Sequence, residues 1–177
     1  MKKAVAVFII IISLVVLWLV FNGVAVDKHK YIVQVNGVGI QKTAYDKELV
    51  QSMTFFKSQN QDVSKLPTLQ KDTLDELVDE SLINQYAAKN KITVLDTEVD
   101  ARYLQVVAGY NRRNKIAETG DSQFLAKIKE MYLETKSDYL QTLREDILKE
   151  KVQVSVGMPL ATWLKIQKQS AQIKIFQ

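Results

Sequence analysis

Apolar residues recur along this chain with three different spacings, and each spacing predicts a different kind of element. From Ala4 to Val26 the run is apolar almost without a break, Ser13, Asn22 and Gly23 being its mild interruptions. As a helix it would reach roughly 34 Å against a hydrocarbon core of about 30 Å, so it can cross a bilayer with slight tilt. Tyr31 to Val35 is rich in β-branched residues and reads as a strand. Asn36-Gly37 is a two-residue hairpin signal that returns the chain through Val38, Gly39 and Ile40. Steps of three and four then take over. Tyr45, Leu49, Met53 and Phe56 stripe one helix, with Phe55 beside that face, and Thr43 with Asp46 resembles a capping box at its start. The stretch from Lys57 to Lys65 is polar and reads as a loop.

From Pro67, which suits a first helical turn, Leu74, Leu77, Val78, Leu82 and Tyr86 stripe a long amphipathic helix. Asn90 is placed to end it in the left-handed conformation, and Ile92 can fold back on the final turn. Asp96 then offers a cap to a second helix faced by Val99, Tyr103, Val106, Val107 and Tyr110, which completes a helical hairpin. After a polar connector from Asn111 to Gly120, Asp121 or Ser122 can cap a helix with Phe124, Leu125, Ile128, Met131 and Tyr132 inward. Thr135 with Asp138 marks either a fresh start or a kink in one continuing helix, ahead of the stripe Tyr139, Leu140, Leu143, Ile147 and Leu148. A last helix bears Leu160, Trp163, Leu164 and Gln167, and Ile173 to Phe176 alternates as a strand does.

The segment LVDESLINQYAAKNKITVLDTEVDARY closely resembles the helical N-terminal domain of the SurA, PrsA and PpiD group of bacterial extracytoplasmic chaperones. The resemblance rests on Leu77, Val78, Asp79, Leu82, Ile83, Gln85, Ala87, Ile92, Val94, Asp96, Glu98 and Val99. It returns at Val35-Asn36-Gly37 with Ile40, at the helix from Tyr139 to Leu148, and at the closing helix and strand. One departure is Leu95, where the family commonly has a hydroxyl residue that completes a capping box with the Glu; the helix start is therefore expected to lean on Asp96. The resemblance implies a mainly α fold with a small β-sheet in which Ile173 to Phe176 pairs with Tyr31 to Val35. In full-length relatives a parvulin-type prolyl isomerase domain follows the helix ending near Val152. Here Met158-Pro159 and the closing helix come at once, so that domain is expected to be absent.

The expected organisation is a transmembrane anchor over residues 1–26, a short tether over 27–30, and a helical chaperone domain over 31–177. A cleaved signal peptide, with Gly23-Val24-Ala25 as its cleavage site, is the alternative for the first segment. Lys2 and Lys3 argue for a cytoplasmic N-terminus, although Lys28 and Lys30 dilute the asymmetry. The expected location is the bacterial cytoplasmic membrane, single-pass, with the helical domain on the extracytoplasmic side.

Charge and composition mainly exclude. The chain carries 24 basic against 20 acidic residues, and two of the lysines belong to the apolar N-terminal segment, so nothing recommends nucleic acid as a partner. There is no cysteine and a single histidine, His29, beside the apolar run. Nucleophilic, zinc and nucleotide chemistry all lack their usual residues, and no catalytic group, metal or cofactor is expected. Asp75, Glu76, Asp79 and Glu80 read as a solvated helix face, and Arg112 with Arg113 as a charged loop flank.

What remains is adaptable apolar surface. Met53, Phe55, Phe56, Tyr103, Val107, Tyr110, Met131 and Tyr132 are the candidate peptide-contacting residues, each also a plausible core side chain. The expected partners are unfolded or newly translocated polypeptides, with the bilayer engaged through Ala4 to Val26. The rival readings are a tethered adaptor that docks one folded partner and a prolyl isomerase or its accessory.

Overall fold

The computed structural model describes residues 30–63, 68–116 and 120–176. The expected anchor, His29 and Pro67 lie outside them. Among the described residues no helix is long and apolar enough to cross a membrane.

Three short strands and six helices follow one another among the described residues: β1 (Tyr31–Val35), β2 (Val38–Gln41), α1 (Lys42–Ser58), α2 (Leu69–Asn90), α3 (Asp96–Arg113), α4 (Ser122–Tyr132), α5 (Lys136–Val156), α6 (Leu160–Ser170) and β3 (Ile173–Ile175). The chain is thus mainly helical with a small antiparallel sheet of order β2-β1-β3. Asn36 and Gly37 both take positive φ, 51° and 86°, as the tight hairpin requires. Gly39 lies so close to the Tyr31 ring that any side chain there would collide with it.

The two ends of the domain do meet. Val33 faces Ile175 and Val35 faces Ile173, and the Phe176 N–H donates to the Ile32 carbonyl at 2.8 Å. Asn36 ties this junction together. Its backbone N–H donates to the Gln172 carbonyl at 2.9 Å, its side-chain oxygen accepts from the Gln172 N–H at 2.9 Å, and its amide donates to Gln85 at 3.0 Å. Gln85 in turn donates to the Val35 carbonyl at 3.0 Å, so one amide of α2 holds the hairpin on the helix.

Three apolar clusters hold the helices. Val33 and Val35 pack on Val78 and Leu82, joining sheet to α2. Ile83, Ala87, Val152 and Trp163 join α2, α5 and α6, with Tyr86 edge-on to Trp163 at 5.1 Å. Val99, Tyr103, Val107, Phe124, Ile128, Leu143 and Ile147 join α3, α4 and α5. Helix α1 differs from the rest, since none of its side chains is fully buried.

Several helix ends depart from the expected ones, each for a local reason. Helix α1 begins one residue before Thr43; Gln41 is its N-cap, and Asp46 pairs with Lys42 at 2.7 Å instead of closing a capping box. The left-handed residue after α2 is Lys91 (φ 55°), while Asn90 donates its side-chain amide to the Tyr86 carbonyl; Ile92 does fold back, its N–H reaching the Ala87 carbonyl at 2.9 Å. At α3 the cap position is Leu95, whose side chain can accept nothing. Glu98 does the capping by accepting from the Leu95 N–H at 2.8 Å, and Asp96 is free to pair with Arg144 at 2.6 Å. Asp121 stands at the cap position of α4 but gives its carboxylate to the Tyr103 hydroxyl and to Lys136. Between α4 and α5 the chain breaks cleanly. Leu133 turns left-handed (φ 60°), and Thr135 with Asp138 forms a full capping box, the Asp138 carboxylate accepting from the Thr135 N–H at 3.0 Å.

Candidate functional site

A hollow of about 430 Å³ opens where α1, α2 and α5 diverge beside the end of α4. Helical periodicity builds its walls. Glu48, Gln51, Ser52, Phe55 and Phe56 recur at steps of three and four and form one face of α1. Asp72, Thr73, Glu76 and Glu80 do the same on α2, as do Thr142, Glu145, Asp146 and Lys149 on α5. Tyr132 and Glu134 come from the break between α4 and α5. One end of the wall is aromatic. Phe55 stacks on Tyr132, ring centroids 5.2 Å apart and 7° from parallel, and Phe56 meets Phe55 edge-on at 5.6 Å.

The rest of the wall is acidic, with seven carboxylates against one lysine. Burial pushes the carboxyls of Glu48, Glu80 and Glu134 above the ordinary range, and acidic neighbours push further: Glu76 and Glu145 act on Glu48, Asp138 and Glu48 on Glu134. Lys149 pairs with Glu80 at 3.2 Å. Burial opposes the Lys149 charge, yet Glu80, Asp146 and Glu76 outweigh it and hold the ammonium above the usual lysine value. A balanced pair would hold Glu80 down. Both partners bind protons more tightly than usual, Glu80 chiefly because it is buried and Lys149 because acidic neighbours surround it.

The eight expected contact residues divide. Phe55, Phe56 and Tyr132 come together in the hollow from α1 and the end of α4. Tyr103 and Val107 are both 5% exposed and belong to the core shared by α3, α4 and α5, where packing fills the space a client would need. Tyr110 is half-buried against that core, edge-on to Phe124 at 5.4 Å. Met53 and Met131 are half-buried and are not among the residues lining the hollow.

The carboxylates correct the reading of residues 75–80 as one solvated face. Asp75 and Asp79 pair with Lys71 and Lys168, whereas Glu76 and Glu80 turn into the hollow. Spacing held a clue, since Asp72, Glu76 and Glu80 recur at steps of four. No local pattern shows that Glu48 and Glu145 will face them from other helices. Among the described residues no group of three or more histidine, cysteine or carboxylate side chains is placed to hold a metal ion.

The SurA-like N-terminal domain matches residues 1–153 of the 177, and the chain belongs to that family. No curated protein matches the chain. Membership makes it a chaperone-like relative of SurA.

Proposed function

We propose that this protein is a membrane-anchored extracytoplasmic chaperone that holds unfolded or newly translocated polypeptide segments without catalysing a reaction on them. The observation that carries the reading is the open, aromatic-ended hollow between α1, α2 and α5 in a SurA-like domain. An open hollow flanked by a helix with no fully buried side chain can take segments of varied shape. Covering roughly 400 Å² of apolar client surface would yield a gross ~10 kcal/mol, most of it consumed by ordering and lost freedom, so holding is weak and broad. Anchoring through Ala4 to Val26 would concentrate the hollow where chains emerge.

The test is aggregation of several unrelated, chemically unfolded proteins in the presence of the full chain in neutral-lipid nanodiscs. Slowed aggregation of all of them, with most of the effect lost in Phe55→Ala/Tyr132→Ala, is expected. No slowing, or capture of a single folded partner alone, overturns the reading in favour of an adaptor. Proline isomerisation in a short peptide should run at its uncatalysed rate; acceleration that scales with protein concentration would overturn the non-catalytic part.

A further inference from the structure

The carboxylates of this domain fall into two populations. On the outer surfaces most are matched, among them Asp96 with Arg144, Glu98 with Lys151, Glu150 with Arg102 and Asp121 with Lys136, all between 2.6 and 2.8 Å. Inside the hollow the described ion pair is Glu80 with Lys149, and Glu48, Asp72, Glu76 and Asp146 face the same space with no cation among the described residues in ion-pair contact. A chain of net charge +4 has thus collected unmatched negative charge in its one aromatic-ended hollow among those described.

We propose that the hollow takes positively charged stretches of unfolded polypeptide, with lysine or arginine heads against the carboxylates of Glu48, Glu76 and their neighbours and an adjacent apolar side chain against Phe55 and Tyr132. This rests on the reading of the hollow as the holding site and adds which segments it selects. Charge complementarity supports it, because the walls attract cations and repel acidic segments. The carboxylates are spread over three helices and gather at no metal-holding point among the described residues, so they suit several charges carried on an extended chain better than one ion. Lysine and arginine also bring long apolar stems, which can lie along rings while the charged head reaches a carboxylate. Burial first, and acidic neighbours after it, raise the proton affinity of Glu48, Glu80 and Glu134.

The test uses the full chain in phosphatidylcholine nanodiscs and three fluorescent peptides of about 14 residues that share Phe, Leu and Ser positions and differ only in carrying Lys, Gln or Glu at the remaining sites. Fluorescence anisotropy, corrected with empty nanodiscs, reads binding. The Lys peptide should bind at least about tenfold more tightly than the Glu peptide, an advantage that shrinks several-fold near 0.5 M salt as screening shortens the reach of the wall charges. Glu48→Gln/Glu76→Gln should cut Lys-peptide affinity while leaving the Gln peptide unchanged; both positions are solvent-accessible, so the variant keeps its fold. Phe55→Ala should weaken all three peptides alike. Equal binding of the three peptides overturns the charge selection and leaves the holding function standing. Failure of every peptide to bind overturns both.

Discussion

Trp163 lies ten residues past the end of the family match, yet it fills the junction of α2, α5 and α6. Replacing it with alanine tests whether the closing helix is a structural part of this domain or an appendage. The indole is 5% exposed and packs on Ile83, Ala87 and Val152, with Tyr86 edge-on. Removing about 200 Å² of buried aromatic surface at about 25 cal/mol per Å² amounts to ~5 kcal/mol, and measured aromatic truncations fall at about 3–5. A loss of about 4 kcal/mol is expected, a large share of the about 5–15 typical of a domain. In urea, with a slope near 2 kcal/mol per M, the midpoint should fall by about 2 M. Trp163→Phe keeps a ring for Tyr86 and should lose less than half as much. The assay is equilibrium unfolding of the full chain in a non-ionic detergent, followed by far-UV circular dichroism. A midpoint shift below about 0.5 M for the alanine variant would refute the placement of α6 in the core, because no buried indole is that cheap to remove.

Other outcomes follow from single contacts. Asn36→Ala removes the bonds to Gln172 and Gln85 and places alanine at φ 51°; a loss of about 2 kcal/mol is expected, with faster amide exchange at Gln172 than at core helix positions. Thr135→Ala breaks the capping box of α5 and should cost about 1 kcal/mol in the same unfolding assay. Glu48→Gln should stabilise by about 0.5 kcal/mol at pH 7, a small gain because the side chain is half exposed and screened. The gain should vanish as pH falls through the raised pKa, where wild type is itself protonated. Across pH, two groups of carboxylates act in opposite directions. Glu48, Glu80 and Glu134 have folded-state pKa values above 4.5, so protonating them as pH falls from 7 adds stability. Asp138, Asp121, Glu98 and Glu150 are held below their ordinary values by Thr135 and Lys47, Lys136, the Leu95 N–H and Arg102 respectively. Their contribution is present above the unfolded values near 4 and is lost as pH falls below them. A stability maximum on the mildly acidic side of neutral, with steep loss below about pH 4, is the expected profile; a maximum above pH 7 would contradict the acidic hollow.

Much of the fold was legible because its signals are local. Asn36-Gly37 can hardly be anything but a hairpin turn between two β-branched runs, and the stripe Val78, Leu82 is buried where a period near 3.6 puts it. The residues that carry the family resemblance are also the ones that build the fold. Val78 and Leu82 seat the sheet, Ile83 and Ala87 seat α5 and α6, Gln85 pins the hairpin and Glu98 caps α3. Resemblance in these residues identifies the architecture and is silent about what the hollow prefers. Helix ends are less legible, since a carboxylate beside a helix start has several partners within reach. Asp46, Asp96 and Asp121 each chose a cation over the backbone.

From the residues alone came the element order, a matter of periodicity and turn chemistry, while the meeting of strands Tyr31–Val35 and Ile173–Ile175 was what the family resemblance implied. Tertiary structure decided which aromatic residues remain accessible and what surrounds them. Tyr103 and Phe56 look alike on their helical stripes, yet one is sealed between α3, α4 and α5 while the other stands in an open wall. Glu48, Glu76 and Glu145 look like ordinary solvated charges until three helices bring them to one space. A helix face has no sign or depth of its own until packing sets another face opposite it.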